Sequence, residues 1–247
     1  MCAASLAKRI KQGFKLLRLT RRHFRARQVS ASEQTYFIKG QRICIRGPSH
    51  LSMVIEIVND DIYGLRELRE PVRTVVDVGA NIGVFSVYAK LLFPNARVVA
   101  IEPGETAFRL LSWNVSNLNV ELHACAVGAE NGRGSLLVGD KLTTSKLSSD
   151  HRVGSQSCRI VTLASIIEDL NAPVDVLKLD CEGAEYDILE SPGINAVRRI
   201  RGELHTCSKG NPQSGLRQIR AGGFVVNKWA PFADGAAGIV WADKRTR

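Results

Sequence analysis

From Arg73 onward the chain alternates short apolar runs with longer segments of helical spacing. In order these read TVVDVG, VFSVYAKLLF, RVVAIEP, TAFRLLSWNVSNL, VELHACAVG, a strand or hairpin around GSLLVG, CRIVTLASIIEDL, VDVLKLD, EYDILES and RIRGELH. Strands rich in Val and Ile on both faces, separated by helix-length segments, predict a buried parallel sheet built from βαβ units. The final LRQIRAGGFVV and AAGIVWADK read as a helix and a closing pair of strands. Upstream, TYFIKGQRICIRG predicts a small hairpin turning at Lys39-Gly40, and HLSMVIEIVND predicts a helix leading into the main fold.

The first 33 residues follow a different pattern. Leu6, Ile10, Phe14, Leu17 and Phe24 share one helical face, and Lys8, Lys11, Lys15, Arg18, Arg22 and Arg25 form a stripe on another. The chain therefore divides into a basic amphipathic arm, 1–33, and a body, 34–247. The formal charge of +10 is concentrated in that arm, which carries nine Lys and Arg before the first acid, Glu33. The body is close to neutral and gives no reason to expect nucleic acid as a partner. Residues 1–28 suit an anionic membrane surface; an organellar transit peptide and an RNA-binding arm are the competing accounts.

At 247 residues the chain is sized for one catalytic domain with an appendage. Six cysteines stand singly, without C-x-x-C or zinc-like spacing, which fits a reduced, cytoplasmic setting, with the arm allowing peripheral contact with a membrane. No apolar run reaches bilayer length and no signal-peptide pattern opens the chain. The segment Val138 to Gln156, rich in Gly, Ser, Thr and Lys, is the expected mobile loop. The sequon at Asn114 has no secretion signal to accompany it.

VVDVGANIGVFSVYAK carries the strongest chemical signal. A strand ends at Asp77, a turn holds Gly79, Ala80, Asn81 and Gly83, and an apolar helix follows. The glycine spacing is G-x-x-x-G, not the G-x-G-x-x-G of a dinucleotide site, and an Asp at the strand end repels a pyrophosphate. A cationic ligand fits better. About 20 residues on, the next strand ends in Glu102, where an acid hydrogen-bonds ribose hydroxyls. A ribose-bearing, positively charged cofactor without phosphates describes S-adenosylmethionine. Small Ala124 and Ala126, at the end of the third strand, leave room for an adenine.

These blocks, with EIVNDDIYGL, DVLKLDCEGAEYDIL and LRQIRAGGFVV, resemble the FkbM family of S-adenosylmethionine-dependent methyltransferases over about Arg42 to Asp243. The resemblance implies an α/β, class I Rossmann-like fold, a mostly parallel sheet with helices on both faces, and methyl transfer to a hydroxyl of a sugar, glycan, glycolipid or polyketide-type acceptor. By motif, Asp77, Gly79, Ala80, Asn81, Gly83, Glu102 and Ala126 would hold the cofactor, and Asp180 would lie beside the methyl. Cys181 departs from the family's usual Val, and His50 stands where relatives often carry Asp.

The strand ends supply the remaining candidates. Ligands in a doubly wound sheet sit beyond the carboxyl ends of the strands, so Asp77, Glu102, Ala126, Asp180 and His205 should converge. Asp180 can orient an acceptor hydroxyl and take its proton; His205 has the ordinary pKa of a general base. Glu182 and Glu185 read as helix-start residues and Asp187 as solvated. Asp180, Glu203 and His205 share a composition that can bind a divalent metal, but no metal is assigned from the sequence. Two other functions fit parts of the chain: a nucleic-acid methyltransferase, favoured only by the arm, and a catalytically idle membrane or RNA adaptor.

Overall fold

The computed structural model describes residues 33–137, 146–148 and 155–245. The basic arm, and most of the loop expected to be mobile, lie outside the described residues.

The chain opens with β1 (Glu33–Ile38) and β2 (Gln41–Arg46), an antiparallel hairpin whose two-residue turn places Lys39 and Gly40 at φ 52° and 78°. Positive φ at both central positions matches the right-handed twist of the flanking strands. Asn114 ties this hairpin to the body: its side chain accepts from the Arg46 amide and donates to the Arg46 and Ile82 carbonyls. The same residue heads the sequon, and it is buried. HLSMVIEIVN forms the expected helix in two pieces, an α-turn, α1 (His50–Met53), continuing as a π-helix over Val54–Asn59.

The body is a seven-stranded sheet. Its strands are β3 (Thr74–Val78), β4 (Arg97–Ile101), β5 (Val120–His123), β10 (Val176–Leu179), β11 (Arg199–His205), β12 (Phe224–Pro231) and β13 (Ala237–Lys244), in the spatial order β12-β13-β11-β10-β3-β4-β5. All neighbours are parallel except β11/β13 and β12/β13. The helices are α2 (Val84–Leu92), α3 (Glu105–Asn114), α4 (Leu163–Leu170), α5 (Glu185–Glu190) and α6 (Pro212–Ala221). They cover both faces, so alternate strand residues enter two different cores. Val75, Val98 and Val176 pack with α2 and the π-helix, while Val76, Val99 and Leu177 pack with α4, α5 and α6. The parallel core is the one expected from the apolar pattern, and the mostly parallel sheet with helices on both faces is the class I Rossmann-like fold that the resemblance implies.

VELHACAVG, one strand by its sequence, divides in two. The Cys125 amide turns back onto the His123 carbonyl, and β6 (Ala126–Val127) leaves the main sheet to pair with β9 (Ser155–Val161). With β7 (Gly132–Leu137) and β8 (Lys146–Ser148) these form a separate four-stranded sheet in the order β6-β9-β7-β8. Gln156 secures it to the main fold, accepting from the Glu105 amide and donating to the Pro103 carbonyl. No helix among the described residues is long and apolar enough to cross a membrane.

Candidate active site

The chain builds β3, β4 and β5 outward in one direction, then returns to lay β10 and β11 on the other side of β3. Strand order therefore reverses between β3 and β10, and a crevice opens at their carboxyl ends. A cavity of about 400 Å³ lies there, within the range that takes a small-molecule ligand. Gly79, Ala80, Asn81, Glu102, Ala126 and Asp180 line it, together with Tyr63, Lys178, Cys181 and Glu203. Asp77, Gly83 and His205 stand behind this wall.

The turn after β3 is shaped by its neighbours. Gly79 adopts φ 75°, and a Cβ added to it would meet the Asp180 carbonyl oxygen at 1.8 Å. Its missing side chain lets the loops after β3 and β10 cross, which brings Asp180 against the glycine turn. Gly83, at φ 88°, is the N-cap of α2, and a Cβ there would strike Leu111 at 2.6 Å. The second glycine thus serves close packing of α2 on α3.

Asp77 is fully buried; one oxygen accepts from the Ser86 hydroxyl at 2.7 Å and the other lies 3.2 Å from Lys178 Nζ. Lys178 is the neighbour of Asp77 in the β3/β10 register and donates to the Gly79 carbonyl at 2.6 Å. It also lies 3.6 Å from Asp180 Oδ2. Burial alone pulls its pKa down; the charges of Asp77, Asp180 and Glu203 outweigh burial and hold it raised. The lysine thus cements the turn to the strand end from within the core.

Glu102 receives the Asn81 amide at 2.9 Å and the Gly104 amide at 2.8 Å. Burial pushes its carboxyl above the usual range, opposed by those amides and by Lys178. Each oxygen keeps acceptor capacity beyond the amide it already holds. The Asn81 side-chain oxygen is buried without a protein partner, which suits a ligand that brings a donor. Ribose hydroxyls at Glu102 and an amine at Asn81 match the donors of S-adenosylmethionine, so the residues present fit that cofactor.

Also lining the cavity, Tyr63 sets its hydroxyl 3.2 Å from Asp180 Oδ2 and 3.3 Å from Glu203 Oε1. Burial, then the charges of Asp180 and Glu203, raises the phenol pKa far above normal, so it serves as a fixed donor. His205 places Nδ1 2.9 Å from Glu185 Oε1 and Nε2 3.5 Å from Glu203 Oε2. Burial lowers its pKa, but the two carboxylates prevail and push it up to about 11. Glu185 does more than begin a helix: fully buried, it also accepts from the Cys181 and Gly183 amides at 3.2 and 2.7 Å and fixes the loop that carries Asp180. Asp187 is partly buried and paired with Lys209. His50 is buried and hydrogen-bonded to the Tyr36 hydroxyl at 2.8 Å.

Residues 77–221 match the methyltransferase FkbM domain, a span that contains the glycine turn after β3, Glu102, Asp180 and His205. The chain belongs to the FkbM methyltransferase family. It is a methyltransferase of that S-adenosylmethionine-dependent type. Among relatives, it is 27% identical over 190 residues to Methyltransferase 1 of Beauveria bassiana, covering 64% of this chain and 76% of that protein. It is also 27% identical over 172 residues to Methyltransferase sdnD of Sordaria araneosa, covering 55% of this chain and 66% of that one. A match to the AMB antimetabolite synthetase AmbE of Pseudomonas aeruginosa, 27% identical, takes in 70% of this chain and 10% of that protein. The FkbM methyltransferase of Methylobacillus flagellatus has the same fold, with a TM-score of 0.51 at 14% identity over 80% of this chain and 56% of the other.

Proposed function

We propose that this FkbM enzyme methylates a hydroxyl of a sugar, glycan, glycolipid or polyketide-type acceptor, and that Asp180 receives the acceptor. The observation that carries this reading is the position of Asp180. Its side chain is 30% exposed, faces the cavity, and lies where Gly79 lets the cofactor turn approach.

When bound, S-adenosylmethionine supplies an electrophilic methyl on a sulfonium that leaves without acid assistance. The protein's part is then to hold the acceptor oxygen in line and to accept its proton. Asp180 has a free side toward the cavity, while Lys178 and Tyr63 fix its Oδ2 from behind. Glu102 and Asn81 hold the cofactor's ribose and amine. His205, charged and bracketed by Glu185 and Glu203, positions Glu203 and leaves proton acceptance to Asp180. Asp77 and Gly83 maintain the turn. The acceptor's remaining contacts fall to Ser49, Ser52 and Met53, at the cavity's outer edge. We further place the enzyme in the cytoplasm, with residues 1–28 against an anionic membrane surface, a location suited to a lipid-linked acceptor.

The test is to incubate glycan, lipid and small-molecule extracts with the protein and S-adenosylmethionine carrying a trideuterated methyl. The reading expects a labelled, hydroxyl-bearing product with wild type and none with Asp180→Asn. Label on a nucleobase or protein amine would replace it with another acceptor class.

A further inference from the structure

We propose that Asp180, Glu203 and His205 form a divalent-cation site that binds and polarises the acceptor hydroxyl. One ligand atom from each of the three lies within 4.8 Å of the other two. Two carboxylate oxygens and an imidazole nitrogen make a mixed hard and borderline set suited to Mn²⁺ more than to the oxygen-preferring Mg²⁺. Asp180 and Glu203 line the cavity and His205 stands directly behind Glu203, so three protein ligands would hold a cation at the wall and leave its cavity side open for substrate, the arrangement of a catalytic rather than a structural metal.

The surrounding groups hold the ligands as such a site requires. Glu185, fully buried, takes Nδ1–H of His205 at 2.9 Å, which turns Nε2 toward Glu203 Oε2, 3.5 Å away. Metal-bound histidines are oriented by a carboxylate in this way. Tyr63 engages Asp180 Oδ2 and Glu203 Oε1, which turns Asp180 Oδ1 to the cavity and leaves Glu203 Oε2 beside His205 Nε2, the pair a cation would part. An octahedral cation places neighbouring ligand atoms about 3 Å apart, so the set closes onto a metal by modest side-chain rotation. Binding exchanges the Nε2 proton of His205 for the cation.

Charge points the same way. Among the described residues, Asp77, Asp180, Glu185 and Glu203 face Lys178 and His205 as cationic partners. Lys178 is shared between Asp77 and Asp180, and His205 between Glu185 and Glu203, so the two partly exposed carboxylates at the cavity wall carry charge that a cation entering from the cavity would balance.

This inference rests on placing the acceptor at Asp180, but its test needs neither acceptor nor turnover. Full-length protein stripped with EDTA is titrated with Mn²⁺, and free Mn²⁺ is followed by electron paramagnetic resonance. The expected result is one Mn²⁺ per chain, with affinity lowered at least tenfold in Glu203→Gln and in His205→Gln. Glu185→Gln, which touches no metal, is expected to weaken binding by about 10- to 100-fold. Glu203→Asp keeps the charge and shortens the reach, so it too should bind more weakly. S-adenosylmethionine binding by the same variants reports that they are folded. No Mn²⁺ bound by wild type, or affinity unchanged in His205→Gln, overturns the metal site and leaves the methyltransferase reading standing.

Discussion

Lys178 and Asp77 meet across the β3/β10 junction with Nζ 3.2 Å from Oδ1, both side chains all but excluded from solvent. Removing one partner of a buried pair strands the other charge. Lys178→Met should therefore destabilise the fold by about 3–5 kcal/mol. The double variant Asp77→Asn/Lys178→Met should recover part of that loss, because no charge is then left unpaired. Urea denaturation of the two variants checks both statements.

Gly79→Ala should be far more damaging than its size suggests. The added methyl meets backbone, the Asp180 carbonyl, at a φ of 75°. Strain and overpacking together should cost about 3 kcal/mol. S-adenosylmethionine affinity should fall with it, since the same loop carries Asn81. Gly132→Ala, where nothing lies within 4 Å, is the control and should stay within about 0.5 kcal/mol of wild type. Thermal melts and cofactor titrations of the pair separate a local steric effect from a general one.

Glu102 predicts a pH dependence whose sign follows from burial. Its carboxyl is raised, so the folded protein takes up this proton more readily than the unfolded chain. The group therefore favours folding at pH values below the ordinary carboxylate range, and that contribution is withdrawn as the pH rises through the raised value. Cofactor binding runs the other way, because ribose hydroxyls need an acceptor. Affinity for S-adenosylmethionine should fall as the pH drops through the raised pKa, and Glu102→Gln should flatten that dependence. Calorimetric titrations from mildly acidic to neutral pH measure both.

Asp180→Asn should separate binding from chemistry. The amide keeps the shape and loses the proton acceptor, so turnover should drop by about 10²- to 10⁴-fold. Cofactor affinity should change little, because Glu102 and Asn81 are untouched. Comparing single-turnover rates with equilibrium binding checks this.

Much of the fold was legible because it follows from periodicity. The alternating apolar strands, the Lys39-Gly40 turn and the acid one strand beyond the glycine turn are local patterns, and local patterns survive folding. What escaped was set by pairing across the sheet. Lys178 reads as one charge in an apolar strand; only the β3/β10 register puts Asp77 opposite it. That register was the missing signal, although a lysine inside VDVLKLD was itself unusual enough to ask for a buried partner. Tyr63 reaches Asp180 across 117 residues, and no spacing rule spans that distance. Gly79 was visible as a glycine, but its reason, the crossing of two loops, was not. Glu185 resembled a helix-start acid because the sequence does not show that His205 and two loop amides converge on it.

We assign the S-adenosylmethionine site to the turn after β3 and Glu102, beside Asp180. Isothermal titration of the cofactor into wild type and Glu102→Ala tests it most directly. One site per chain is expected, with affinity at least tenfold lower in the variant. Absence of binding by folded wild type, or equal affinity in both proteins, would contradict it.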